Sequence, residues 1–234
     1  MKKLVTTLCT VAALAVVANV SFAANAVRVS QVYGGGGGGV STPASYAQDY
    51  VELFNFSNVA VNIGGWSIEY GSATGNWGSS AANIFTFPAN TLIQPCSYIL
   101  VAMGSTSLNP AVPPVPAPDF TNTTVNMSAT AGKIGLFSAT NANLACGSEI
   151  PGTLVDKVAY GTANCAEVTA VAALSTNSGA VRNGAGVTDT DNNVADFSIA
   201  SPSVPRNSLS PANVNCLSVP SMNSTWGQLK TIYR

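Results

Sequence analysis

Histidine is absent from all 234 residues. That removes Ser–His and Cys–His nucleophile pairs, imidazole acid–base chemistry and imidazole metal ligands together. The nucleophile-elbow pattern Gly-x-Ser-x-Gly and the Ser-x-x-Lys pair are also missing. Charge is scarce, at 8% of residues, and beyond Lys2-Lys3 the Lys and Arg residues do not cluster. A nucleic-acid binder needs a basic footprint to neutralise phosphates, so direct, strong DNA or RNA binding is not expected. No Cys-x-x-Cys spacing occurs, which argues against a redox motif or a zinc knuckle. Low charge is not disorder here, because 47% of the residues are hydrophobic.

What is present begins with an export pattern. Lys2 and Lys3 form a basic start, Leu4 to Val20 is mostly apolar, and Ser21-Phe22-Ala23 ends in a small-x-small cleavage pattern. Residues 1–23 therefore read as a signal peptide, with cleavage after Ala23 and Ala24 as the alternative. Thr6, Thr7, Thr10 and Asn19 interrupt a run already short for a bilayer span, so no transmembrane anchor is expected. Cys9 precedes most of the apolar run and is misplaced for lipid modification. The remainder carries seven Lys and Arg against ten Asp and Glu, a net charge near −3. A secreted or cell-surface location follows as the expectation.

Four cysteines remain, Cys96, Cys146, Cys165 and Cys216, an even number that suits two disulfides in an exported chain. Three pairings exist. The favoured one is Cys146 with Cys165 and Cys96 with Cys216. The first closes a short loop worth about 3 kcal/mol by loop entropy. The second would tie the C-terminal extension to the body.

Short alternating segments dominate the rest. Tyr50 to Phe54 places Val51 and Leu53 on one face, and Val59, Val61 and Ile63 then alternate with Ala60 and Asn62. Gly64-Gly65 marks a turn, and Gly65-Trp66 marks the centre of a β core, with Trp66, Ile68 and Tyr70 sharing a face. Further strands are read at Val27–Tyr33, Ile84–Phe87, Cys96–Met103, Lys133–Ser138, Leu154–Gly161 and Phe197–Ile199. Six glycines at 34–39 read as a flexible surface loop, because Val40-Ser41-Thr42-Pro43 does not open the helix a phosphate loop requires. Five prolines within Asn109 to Pro118 read as a stiff extended excursion. Ala166 to Leu174 is the single helical candidate. About eight short strands with frequent turns predict an all-β fold, an immunoglobulin-like antiparallel β-sandwich.

These pieces resemble the lamin-tail domain family in its bacterial secreted form. The resemblance is carried by Val29-Ser30-Gln31-Val32-Tyr33, Asp49 to Asn55, Val61 to Ile68, Ile99-Leu100-Val101, Lys133 to Phe137, Val155 to Gly161, and Asp189 to Asn193 with Asp196-Phe197. It spans a domain at residues 26–208, leaving a C-terminal extension at 209–234. Gln31 stands where Glu is common, and Pro95-Cys96 where Pro-Gly is common. The resemblance implies an immunoglobulin-like sandwich, a stand-alone one, acting as a non-enzymatic binding or tethering module for protein or glycan at the cell surface. A role as accessory to an extracellular nuclease or phosphoesterase is the alternative.

Three constellations could carry chemistry. Glu52 and Glu69 lie on nearby strands and could form a carboxylate pair of the glycosidase type, against the simpler readings that both sit on the solvent face or that Glu52 accepts local backbone or side-chain bonds. No catalytic residues are assigned and no enzyme is expected. Asp189, Asp191, Asn193 and Asp196 form the densest set of oxygen ligands and are the candidate Ca²⁺ site; otherwise no cofactor is expected. The spacing departs from an EF-hand, with Val194 at the turn glycine and Ala200 at the bidentate Glu; a loop of Asx turns, its side chains bonding their own backbone, is the preferred reading. Tyr70, Trp77 and Phe85 could stack on sugars or peptides, although Trp77 folded down over the sandwich is preferred. In the tail, Val219 to Gly227 faintly resembles the start of a sorting signal, without the apolar span that should follow.

Overall fold

The structure, a computed structural model, describes residues 26–216. The signal-peptide reading and the tail beyond Cys216 fall outside these residues. Among the described residues no helix is long and apolar enough to cross a membrane.

Twelve strands run in chain order: β1 Val27–Tyr33, β2 Asp49–Asn55, β3 Val61–Asn62, β4 Ser67–Ser72, β5 Ile84–Thr86, β6 Leu92–Ile93, β7 Tyr98–Met103, β8 Phe120–Asn122, β9 Gly132–Phe137, β10 Leu154–Tyr160, β11 Gly179–Arg182 and β12 Phe197–Ala200. One helical turn, α1, covers Asn193–Asp196. The first sheet has the order β12-β11-β1-β2-β7-β8, the second β10-β9-β4-β5, and β3 pairs with β6. This is the expected all-β sandwich. One correction concerns direction: β7 and β8 pair in parallel, at the edge of the first sheet.

The core follows from strand alternation. Val51, Leu53, Ile99 and Val101 from the first sheet meet Ile68, Ile134, Leu136 and Val158 from the second, with Trp66 beside them. Gly65 adopts φ 83° and a Cβ there would meet nothing within 4 Å, so the turn before Trp66 selects glycine by backbone conformation. Strand β1 breaks its own period. Its register against β2 shifts between Val29 and Gln31, a bulge at Ser30. Past the bulge Val32 enters the core while Tyr33 joins Tyr50, Leu100 and Val115 in a second cluster.

The outer faces are covered as well. On the first sheet, the segment after β12 brings Arg206 onto Glu52. Arg206 Nη2 lies 2.7 Å from Glu52 Oε1, and Ser30 Oγ and Gln31 Nε2 donate to the same carboxylate at 2.6 and 2.9 Å. On the second sheet, Trp77 is fully buried and packs edge-on to Phe137, over Gly135. The solvent-face reading of Glu52 and Glu69 is therefore wrong, since both are 0% exposed, whereas the alternative that Glu52 accepts side-chain bonds holds. Tyr70 and Trp77 are likewise buried and Phe85 partly so, which ends their reading as an exposed stacking platform.

Both disulfides adopt the favoured pairing, Cys96–Cys216 and Cys146–Cys165, each with a Cα–Cα distance of 5.6 Å. Cys96 has φ 53°, the conformation in which glycine is at ease, which accounts for the Pro-Gly commonly found in its place. The glycine run is partly packed. Gly34 and Gly35 are buried, and a Cβ at Gly35 would lie 2.6 Å from Thr176 Cα. Close backbone approach, rather than flexibility, sets the composition there. Residues 166–174 form no helix; Val171 instead bridges to Tyr160 beside the edge of the second sheet.

Candidate functional site

One end of the sandwich is held by ions. Asp156 sits in β10 of the second sheet with the same parity as the core residues Val158 and Tyr160, and Arg182 sits in β11 with the parity of Ala180. They meet between the sheets, Arg182 Nη2 to Asp156 Oδ2 at 2.7 Å, with the Arg182 side chain 0% exposed. Arg182 Nε donates to the Val29 carbonyl at 2.9 Å, and the Val29 amide donates to Asp156 Oδ2 at 2.7 Å. The guanidinium also stacks on Phe197, 4.5 Å from the ring centre. A buried charge is tolerated only when paired and hydrogen-bonded, and here both conditions are met.

The same guanidinium organises the acidic loop. Arg182 Nη1 lies 3.1 Å from Asp189 Oδ1 and 3.7 Å from Asp196 Oδ2. Arg28 Nε lies 3.0 Å from Asp189 Oδ2, and the Arg28 guanidinium rests on Phe56. Asp196 accepts from the Thr190 amide and hydroxyl at 2.9 and 2.8 Å and from the Asn192 amide at 3.3 Å, and against its burial these bonds and the Arg182 charge hold its carboxyl below the usual range.

The four proposed Ca²⁺ ligands are thus not gathered in one cage. Asn193 turns away and acts as a surrogate strand for the edge of β10. Its Oδ1 accepts from the Ala159 amide at 3.0 Å and its Nδ2 donates to the Lys157 carbonyl at 3.0 Å. Asp191 is exposed, at φ 55°. Glu167, which sequence reasoning missed, lies instead with Asp189 and Asp196, one oxygen of each within 4.8 Å of the others. A cation among these three would share its place with the Arg182 guanidinium, the positive charge already bonded to Asp189.

Beside this network is a recess of about 220 Å³, lined by Val27, Arg28, Val155, Asp156, Glu167, Asp189 and Asp191. Its floor is the start of β1 and of β10, and its wall is the loop carrying Glu167. That loop is tightly fixed. Asn193 Nδ2 donates to Glu167 Oε2 at 2.9 Å, the Asn193 amide donates to the Glu167 carbonyl, and the Thr169 amide closes on the same carbonyl at 2.6 Å. Between them Val168 takes φ 53° and is 82% exposed. Positive φ is costly for a β-branched side chain and persists where the surroundings over-determine it.

Burial pushes the Glu167 carboxyl up to about 8, helped by the charges of Asp156 and Asp189 and opposed by Arg182. Ionising it therefore weakens the fold. The native state binds this proton more tightly than the unfolded chain, so the stabilisation is complete below pH ~4.5 and is lost as pH rises towards ~8. Glu167→Gln removes that loss. The variant is expected to melt progressively higher than the parent as pH moves from 5 to 9, read by thermal scans of both proteins. Asp49, also raised by burial to about 7 while accepting from the Gly36 and Met127 amides, contributes equally to both and cancels in the difference.

The sequence signals for this site were an Asp inside the apolar strand Val155 to Tyr160 and an Arg inside Ala180-Val181-Arg182. Charged residues within core strands announce a buried pair. The lamin tail domain profile matches residues 21–162. The chain belongs to the lamin tail domain family. The match covers β1 to β10 of the sandwich, whereas β11, β12 and the acidic loop lie beyond it. A solved relative in shape is a DUF4876 family protein from Bacteroides thetaiotaomicron VPI-5482, with TM-score 0.51 and 12% identity over 80% of this chain and 74% of that one. At that identity the likeness concerns the fold alone. No curated protein matches this lamin tail domain chain.

Proposed function

We propose that this lamin tail domain protein is an exported, non-enzymatic binding or tethering module, holding a protein or glycan at the cell surface through the acidic recess at Glu167. The observation that carries the reading is the fate of the carboxylates. Acid–base hydrolysis needs two carboxyls open to one substrate. Glu52 is closed off by Arg206, Ser30 and Gln31, and Glu69 lies buried with its Oε1 accepting from the Asn141 amide and the Ser67 hydroxyl. Asp189, Asp191 and Glu167 line a cavity that a partner can enter. With Val168 projecting beside them, they suit a basic side chain or sugar hydroxyls next to an aliphatic contact. Two disulfides support an oxidising compartment.

The test is to immobilise the folded chain, pass over it envelope extract and medium from its source, and identify what is retained. In parallel the chain is assayed alone against DNA, phosphodiesters and glycans. Specific retention with no turnover is expected; turnover of any of these substrates by the pure chain overturns the reading.

A further inference from the structure

The outer face of the second sheet holds a lysine far from the recess in chemistry. Lys133, on β9, is 0% exposed. Its partners across the ladder are Gly71 and Ala159, both small. A Cβ at Gly71 would lie 2.7 Å from Lys133 Cε and 3.1 Å from Cγ, so the missing side chain at 71 is what leaves a channel for the lysine stem. Trp77 roofs the channel, with Nζ 5.3 Å from its ring centre, and Trp77 Nε1 is fixed by Glu149 Oε1 at 2.7 Å. At the channel's end Nζ donates to the Gly75 carbonyl at 2.6 Å and to Asn164 Oδ1. Asn164 is held from both sides. Its amide donates to the Ala73 carbonyl at 2.8 Å, and the adjacent Cys165 is tied to Cys146.

We propose that Lys133 and Asn164 are the two ends of an intramolecular amide cross-link, formed between Lys133 Nζ and Asn164 Cγ with release of ammonia. A hydrogen bond to the carboxamide oxygen leaves Cγ only one C=O bond, about 1.23 Å, further on. Attack geometries call for reacting atoms about 3–3.5 Å apart, and rigid placement supplies the effective concentration. Burial holds the Lys133 ammonium below its ordinary range, against the pull of Glu149, which raises the share of neutral amine.

The step balances without an oxidant or cofactor. Lys133 gives one proton to water, and its lone pair attacks Cγ. The bond from Cγ to the carboxamide nitrogen then breaks. A second Nζ proton passes to the departing nitrogen, which leaves as ammonia through the exposed side of Asn164. The product is a secondary amide whose single N–H keeps the Gly75 carbonyl as acceptor. The link would brace the same corner as Cys146–Cys165 and would survive reduction.

The experiment is intact mass of the purified chain after full disulfide reduction, followed by a tryptic map. The expected mass falls short of the mature sequence by one ammonia, trypsin fails to cut after Lys133, and a branched peptide joins the Lys133 and Asn164 segments. Asn164→Ala, at an exposed position, should restore both the sequence mass and cleavage at Lys133. The wild-type map decides the matter even if that variant does not fold. Reduced wild-type protein at its full sequence mass, with ordinary cleavage after Lys133, overturns the proposal. So does an ammonia loss that maps elsewhere, for example to the Asn183-Gly184 pair, where cyclisation also expels ammonia.

Discussion

Arg182→Leu is expected to lower the unfolding free energy by about 3–5 kcal/mol, the usual cost of stripping the partner from a buried charge. The loss should appear as a lower urea midpoint with an unchanged slope, since the surface exposed on unfolding stays the same. Two effects combine. Asp156 is left inside the sandwich with the Val29 and Lys157 amides as its remaining donors, and Asp189 and Asp196 lose the positive charge between them. Adding Asp156→Leu should recover part of the loss, because apolar replacement of both members of a buried pair is far cheaper than removal of one. A midpoint unchanged by Arg182→Leu alone would mean that the ion pair does not join the two sheets.

The second large effect lies at the other end of the chain. Cys96→Ser with Cys216→Ser opens a loop of 120 residues and should cost about 4.7 kcal/mol by loop entropy, against about 3 kcal/mol for opening the 19-residue Cys146–Cys165 loop. The first disulfide also holds the segment that carries Arg206 over Glu52, where Arg206 Nη1 further donates to the Tyr98 hydroxyl at 2.9 Å. Its loss should therefore loosen that cover as well. Hydrogen exchange on the β2 and β7 amides beneath the cover, compared between the two double variants, distinguishes this from a purely global effect. Faster exchange confined to the Cys96/Cys216 variant is expected.

Much of this scaffold could be read from local pattern. Alternation in Tyr50 to Phe54 and in Trp66 to Tyr70 gave the faces of β2 and β4, because one side of each strand meets the core. Cysteine parity and loop length led to the correct pairing. The reading failed where a local feature depends on distant contacts. The bulge at Ser30 turns Gln31 and Tyr33 outward, and no residue type in Val27 to Tyr33 announces it. Gly34 and Gly35 look flexible until the backbone of Thr176 is placed against them. Glu52 looks exposed because its covering residue, Arg206, is 154 positions away.

The acidic loop shows the same limit in the site itself. Its spacing suggested an oxygen cage, yet the side chains divide between two arginines, a strand edge and solvent. Glu167 joins them only because the loop after β10 folds back on Asn193. Asp and Asn spacing cannot reveal that partner, since the guanidinium that organises the cluster comes from a core strand.

On the proposed reading the sandwich is a rigid holder whose open chemistry is the recess at Glu167, Asp189 and Asp191. A direct test is the dissociation constant of the retained partner at pH 9, above the Glu167 value of about 8, for the parent chain and for Glu167→Gln/Asp191→Asn, both shown to be folded by circular dichroism. At least about tenfold weaker binding by the variant is expected, equivalent to ~1.4 kcal/mol. Equal affinity for the two proteins would contradict it and place the contact on another surface.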